Sequence, residues 1–435
     1  MIVLMKILQL FLALSILVLI HELGHFLFAK LFRIRVDKFY LFFDIGGFSL
    51  FKFKPRGSDT EYGIGWLPLG GYCKIAGMID ESMDTESLKQ EPQPWEFRTK
   101  PAWQRLLVMF GGVLFNFIFA IILYIGILAG WGESYIANQG NSIYVNDLAY
   151  EMGFRNGDQI LKFDDYVPEK FAMLQADLAR QTARKATVLR DGDTVDIYID
   201  HNMIGDILNT PGMFDLAIPF VIESVAPESP NAASGLLKGD RIISINGQPV
   251  TYLQDSRRLL ADLSGMAVPV TVLRDRDTSI MTLQVDTLGR LGVYTQLPGV
   301  KTKEYSVFEA VPAGFRLAYD TIGGYLQDLK LVFTPSTEAY KSVGSFIAMG
   351  QIFPGSWDWF RFINILALLS IMLGVMNLLP IPALDGGHIV FTLYEMITGH
   401  KPSDRFLTVA QVIGMTLLFG LLILAFGNDI GRLIR

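Results

Sequence analysis

The chain has 435 residues, 51% of them hydrophobic and 18% charged, with a formal net charge of -6. That is too apolar for a purely soluble protein, and the acidic balance leaves no broad basic face, which argues against nucleic acid as a partner. The single cysteine, Cys73, excludes an internal disulfide and any cysteine-rich metal site, leaving histidine and carboxylate as metal ligands.

Residues 1–33 read as a first transmembrane helix. Its apolar run starts at about Ile7, is interrupted only by Gln9 and Ser15 before His21, and continues through Phe26, Leu27, Phe28, Leu31 and Phe32. No small-residue cleavage site follows, so the segment is expected to be retained. Near its end stands His21-Glu22-Leu23-Gly24-His25. On a helix the two histidines fall on one face with Glu22 beside them, the spacing that a zinc ion and its general base require. A polar patch at a helix end is the plainer alternative. Inside an apolar span, however, ionisable side chains are expensive and functional by default, which favours the metal. Lys30, Arg33, Arg35 and Lys38 follow at once, and such a cluster marks the cytoplasmic side. The N-terminus is then outside, and the zinc motif lies towards the cytoplasmic face.

Residues 34–102 change character. Phe39, Leu41 and Phe43 precede Gly46-Gly47, after which Phe51 and Phe53 alternate with Lys52 and Lys54. This is a hairpin pattern, and Tyr62–Trp66 and Gly70-Gly71-Tyr72 point to further strands. The aromatic richness beside a span implies a β region associated with the membrane. Residues 77–101, acidic and rich in proline, read as a loop. A second span, 103–131, carries Gly111-Gly112 and a lone Asn116. Small residues allow close helix approach, and an amide at that depth needs a partner within the bundle.

Residues 132–210 and 211–300 have soluble composition and an internal repeat. Gly153 to Ile160 and Gly235 to Ile242 both read Gly-x-x-x-Gly-Asp-x-Ile, so two similar β-rich modules follow one another, with structural rather than catalytic Gly-Asp pairs. They resemble PDZ domains, which bind an extended peptide by adding it as a strand. The second is the clearer, with Ile242–Ile245, an Asn246-Gly247 turn and Gln248–Val250. Residues 301–360 read as an amphipathic helical linker on the bundle or the membrane surface.

Residues 361–435 hold a third and a fourth span. The third, about Phe362–Leu379, ends in Asn377-Leu378-Leu379-Pro380-Ile381-Pro382-Ala383-Leu384-Asp385-Gly386-Gly387-His388. Two prolines break the helix at membrane depth and leave Asp385 buried, where a metal stabilises a carboxylate best. Travelling inward, this span ends on the same face as His21 and His25, at one depth. His388 reads as a helix-start or backbone-bonded residue rather than a ligand.

The HExxH-type motif, Gly111-Gly112 with Asn116, the tandem modules and the Asn377 to Gly386 segment together resemble bacterial site-2 proteases of the regulator-of-sigma-E type, over nearly the whole chain. The resemblance implies a multi-pass α-helical membrane protein with four transmembrane helices, a membrane-associated β region and two PDZ-like extracytoplasmic domains. It implies Zn2+ held by His21, His25 and Asp385, Glu22 as catalytic acid/base, and Asn377 and Asn116 handling substrate. It implies cleavage of transmembrane segments of single-pass proteins, with anti-sigma-factor-like substrates, at the bacterial inner membrane. Val113 stands where relatives commonly have proline. A reading from another class is a non-catalytic membrane adaptor that captures peptides with the PDZ-like pair; intact Glu22 with all three ligands argues against it.

Overall fold

The computed structural model describes residues 2–78 and 91–434, so the middle of the acidic loop expected at 77–101 lies outside the described residues. Two compact units are present. The first comprises Met1–Glu133, Glu304–Val332 and Tyr340–Arg435; the second comprises Ser134–Lys303 and Phe333–Ala339.

In the first unit, four helices are long and apolar enough to cross a membrane: Ile2–Leu31 (α1), Ala102–Trp131 (α2), Trp359–Leu378 and Arg405–Gly431. None has an interior proline, so each ladder of backbone hydrogen bonds runs unbroken, as a lipid environment requires. α1 and α2 cross at glycine: a Cβ on Gly24 would sit 2.2 Å from the Gly111 carbonyl oxygen. Only side-chain-free backbone permits that approach, and it falls inside the His21 to His25 motif. A 26-residue helix, Val307–Val332, lies within the segment expected to be a linker. Its Ala318 joins Ala120, Tyr124 and Ile127 of α2 and Ala367 and Ile371 of the third span in one buried cluster.

The β region is a four-stranded sheet of β1 (Val36–Phe43), β2 (Ser49–Phe53), β3 (Glu61–Gly65) and β4 (Leu67–Ile75), in the order β2-β3-β1-β4. The hairpin expected between Phe39 and Phe53 does not form. β3 lies between its two arms, parallel to β1 and antiparallel to β2. Pairings distant in sequence decide this: the Tyr40 hydroxyl donates to Glu61 at 2.6 Å, the Thr60 hydroxyl donates to the Val36 carbonyl at 2.8 Å, and Phe53 stacks on Tyr62. Alternation fixes which face a side chain takes but not which strand becomes its neighbour. β4 forms one edge of the sheet and packs on α1, where a Cβ on Gly71 would lie 2.8 Å from Val18 Cγ1. At the other edge β2 exposes Leu50, Phe51 and Phe53.

The second unit shows why the repeat keeps its Gly-Asp pairs. In the first copy the Arg190 guanidinium donates to both oxygens of Asp158, at 2.7 and 2.8 Å, and to the Gly153 carbonyl, while the Arg155 amide donates to Asp158. In the second, Arg274 does the same for Asp240 and the Gly235 carbonyl, and the Leu237 amide donates to Asp240. Both aspartates are fully buried, and a bidentate guanidinium with a backbone donor satisfies each one. Around the first copy pack Ile143, Phe154, Phe163, Leu174 and Leu178; around the second, Phe220, Ile222, Ile242, Val270 and Leu283. Arg241–Ile245 turns through Asn246 and Gly247, both at positive φ, into Gln248–Pro249, the two-residue turn that Asn-Gly favours.

Candidate metal centre

One turn of α1 carries His21 and His25, both buried. Their Nε2 atoms are 3.2 Å apart and lie 3.2 and 3.3 Å from Asp385 Oδ2. A tetrahedral ion with bonds of about 2.0–2.1 Å has ligand-to-ligand edges of about 3.3–3.4 Å, so the triangle has the size of one face of a zinc coordination shell.

The protons decide what that triangle wants. His25 Nδ1 is 2.9 Å from the Val108 carbonyl oxygen, which can only accept; the proton of the neutral ring is on Nδ1, and Nε2 presents a lone pair. His21 Nδ1 is 3.1 Å from the side-chain amide nitrogen of Asn116. Asn116 is fully buried, and its Oδ1 has no partner. Turning this amide over sets Oδ1 against His21 Nδ1–H, satisfies the orphaned oxygen, and leaves the Nε2 lone pair facing Asp385. Asp385 Oδ2 is itself buried without a hydrogen-bond donor. Three acceptors therefore converge on one point among apolar helices, an arrangement that a divalent cation resolves.

Local sequence explains how each ligand arrives. The third span stops at Leu378 because Pro380 and Pro382 cannot continue it. The chain turns through Ala383, held at φ +84°, and a separate helix, Asp385–Thr398, begins at the ligand itself. The reading of His388 as a helix-start or backbone-bonded residue allowed for a restart here, but the apolar pattern of the span set no bounds for it. A Cβ on Gly386 would lie 2.1 Å from the Leu379 carbonyl oxygen, so the turn closes only around glycine. An ion pair between Arg105, at the start of α2, and Glu395 ties the restarted helix to the bundle. Gly112 backs both imidazoles: a Cβ there would sit 2.4 Å from His25 Nε2 and 2.7 Å from His21 Cε1.

Glu22 is half-buried beside the histidines, and the backbone amide of Cys73 on β4 donates to its carboxylate. Asn377, half-buried on the last turn of the third span, has its Nδ2 3.5 Å from His21 Nε2. Asn116 stands on the other side of His21, reaching the Nδ1 edge rather than the Nε2 edge. His388 is not among the grouped ligand atoms, which are those of His21, His25 and Asp385 among the described residues. Sequence reasoning missed the Val108 carbonyl, the Cys73 amide and Gly112. The first two are backbone groups, which carry no residue signature; the close approach at Gly112 was visible only as a preference for small residues.

The profile of Peptidase family M50 matches residues 9–421. A protein of Borreliella burgdorferi, named by inference a zinc metalloprotease, is 29% identical over 98% of each chain. The regulator of sigma-E protease RseP of Escherichia coli is 27% identical over 97% of each chain, and RseP of Salmonella typhimurium is likewise 27% identical over 97% of each.

Proposed function

The chain belongs to the M50, or site-2 protease, family of zinc metalloproteases, and from that premise we propose that it cuts transmembrane segments of single-pass proteins within the bilayer. The observation that carries this reading is the triangle of His21, His25 and Asp385 acceptors inside a set of helices apolar enough to span a membrane. Bound by these three, zinc supplies Lewis acidity to the scissile carbonyl and acidifies its water. Glu22 takes the proton of the attacking water and delivers it to the departing amine, with the Cys73 amide fixing its carboxylate. Asn377 offers an amide N–H on the open side of His21, where a substrate carbonyl is received. Asn116 acts on the substrate only through His21: with its amide turned so that Oδ1 faces the ring, it accepts from Nδ1–H and leaves the Nε2 lone pair free to hold the ion.

A helical substrate hides its carbonyls in hydrogen bonds and must unwind before attack. β4 is an edge strand whose Cys73 touches Glu22, so a segment added along it is held extended beside the catalytic carboxylate. The two modules of the second unit act as PDZ-like domains outside the cytoplasm and screen substrates, which is the organisation of regulated intramembrane proteolysis with anti-sigma-factor-like substrates. The Lys30 to Lys38 cluster supports a cytoplasmic-facing zinc site in a bacterial inner membrane. An adaptor without catalysis would have no use for Glu22 beside three convergent acceptors.

The test is cleavage of a transmembrane reporter by purified protein. Glu22→Gln should keep close to one zinc per chain yet cut about 10²–10⁴-fold more slowly, and a chelator should stop the wild type. Wild-type rates from Glu22→Gln, or cleavage confined to soluble peptides, would overturn the reading.

A further inference from the structure

A second polar site lies at the end of α1, away from the zinc ligands. Lys30, Arg33, Ile34, Arg35, Asp59 and Trp95 line a cavity of about 430 Å³. Three of the six side chains are cationic. Arg35 is ion-paired with Asp37 at 2.7 Å. Lys30 faces the ring of Phe26, and neither Lys30 nor Arg33 has a carboxylate partner among the described residues.

The backbone gives an independent reason to regard the cavity as built. α1 ends with the Arg33 amide bonded to the Lys30 carbonyl and the Ile34 amide to the Ala29 carbonyl, and Arg33 is left-handed at φ +55°. That post-helical position is the usual place for glycine, where it costs nothing; an arginine there is strained. Strain of this kind persists where a side chain is needed. The Arg35 amide also donates to the Trp95 carbonyl at 2.9 Å, so the half-exposed indole is pinned to the same turn as the cations.

The location selects the ligand. α1 is a candidate span that ends at Leu31, so the cavity sits where headgroups meet water, the depth that indoles and basic side chains occupy. We propose that this cavity binds a phosphate ester, supplied by the headgroup of an anionic glycerophospholipid, with Lys30 and Arg33 as its counter-charges and Trp95 at the rim. The site is independent of the peptidase chemistry, although it is built on the helix that carries His21 and His25. Asp59 is its one acidic lining residue and opposes the ligand.

Native mass spectrometry of the full chain in neutral detergent, titrated with phosphatidylglycerol, phosphatidylcholine or soluble glycerol phosphate, tests this. Wild type should retain phosphatidylglycerol over phosphatidylcholine. Arg33→Gly and Lys30→Gln should each weaken that binding about fivefold, while Arg33→Gly, freed of backbone strain, keeps or raises the thermal midpoint. Asp59→Asn should tighten binding, an outcome that misfolding does not produce. Glycerol phosphate binding as tightly as the lipid would keep the phosphate site and move its source to a soluble ester. Equal retention of both lipids by wild type, undiminished phosphatidylglycerol binding by the Lys30→Gln, Arg33→Gly double variant, or a lowered midpoint in Arg33→Gly would each overturn the assignment.

Discussion

The two units bury carboxylates in opposite ways. Asp158 and Asp240 in the second unit are each enclosed by a bidentate arginine and a backbone amide, so the charge is neutralised and its lone pairs are used. Asp385 in the first unit meets the Nε2 atoms of two imidazoles at 3.2 and 3.3 Å, and its buried oxygen has no hydrogen-bond donor. A satisfied buried aspartate holds a loop; an unsatisfied one facing other acceptors asks for a cation. Asp385 is the less hidden of the three, with 16% of its side chain exposed against 1% or less for Asp158 and Asp240; the same residue type is structural in one place and chemical in the other because of what its neighbours can donate.

The largest effect that sharpens this contrast is at Asp385. Asp385→Ala should take zinc from close to one per chain to near none and abolish reporter cleavage, because two neutral imidazoles do not hold the ion alone. Full zinc content in that variant, read by elemental analysis, would place Asp385 with its counterparts in the modules. Next comes Gly112→Ala. Its methyl must displace both imidazoles, so zinc affinity should fall about 10–100-fold, the range seen when ligand orientation is lost; competition with a metal indicator measures it.

A third and smaller effect tests the structural side. Asp240→Asn should destabilise the second module by about 2 kcal/mol and leave zinc untouched. This is below the roughly 3–5 kcal/mol for breaking a fully buried pair, since 38% of the Arg274 side chain is exposed. Hydrogen exchange across residues 267–284 is the readout. Smallest is a pH effect on the same pair. Hydrogen bonds from Arg274 hold the Asp240 carboxyl below the usual carboxylate range. Because the folded value lies below an unfolded one of about 3.9, this stabilisation is fully present above about pH 4 and is lost as the pH falls through the folded value. Protection in the module, taken relative to the intrinsic exchange rate at each pH, should fall on acidification below about pH 4, and Asp240→Asn should remove that part of the dependence.

Much of the site was legible because its chemistry is local. The spacing of His21, Glu22 and His25 states one helix face, and Pro380 and Pro382 state a break just before Asp385. The spans were legible because lipid imposes a long apolar run. The repeat was legible too, although not the Arg190 and Arg274 partners of its aspartates, which come from strands more than thirty residues on.

The sequence by itself determined the four apolar spans, the repeat and the candidate ligands, since each rests on residue type in a continuous run or at fixed short spacing. Only the tertiary structure decided that β3 separates β1 from β2, that the Cys73 amide of β4 meets Glu22, and that Asn116 and the Val108 carbonyl turn both Nε2 lone pairs towards Asp385. Those choices depend on strand neighbours, backbone carbonyls and proton positions, all set by contacts between distant segments and written in no single stretch of side chains.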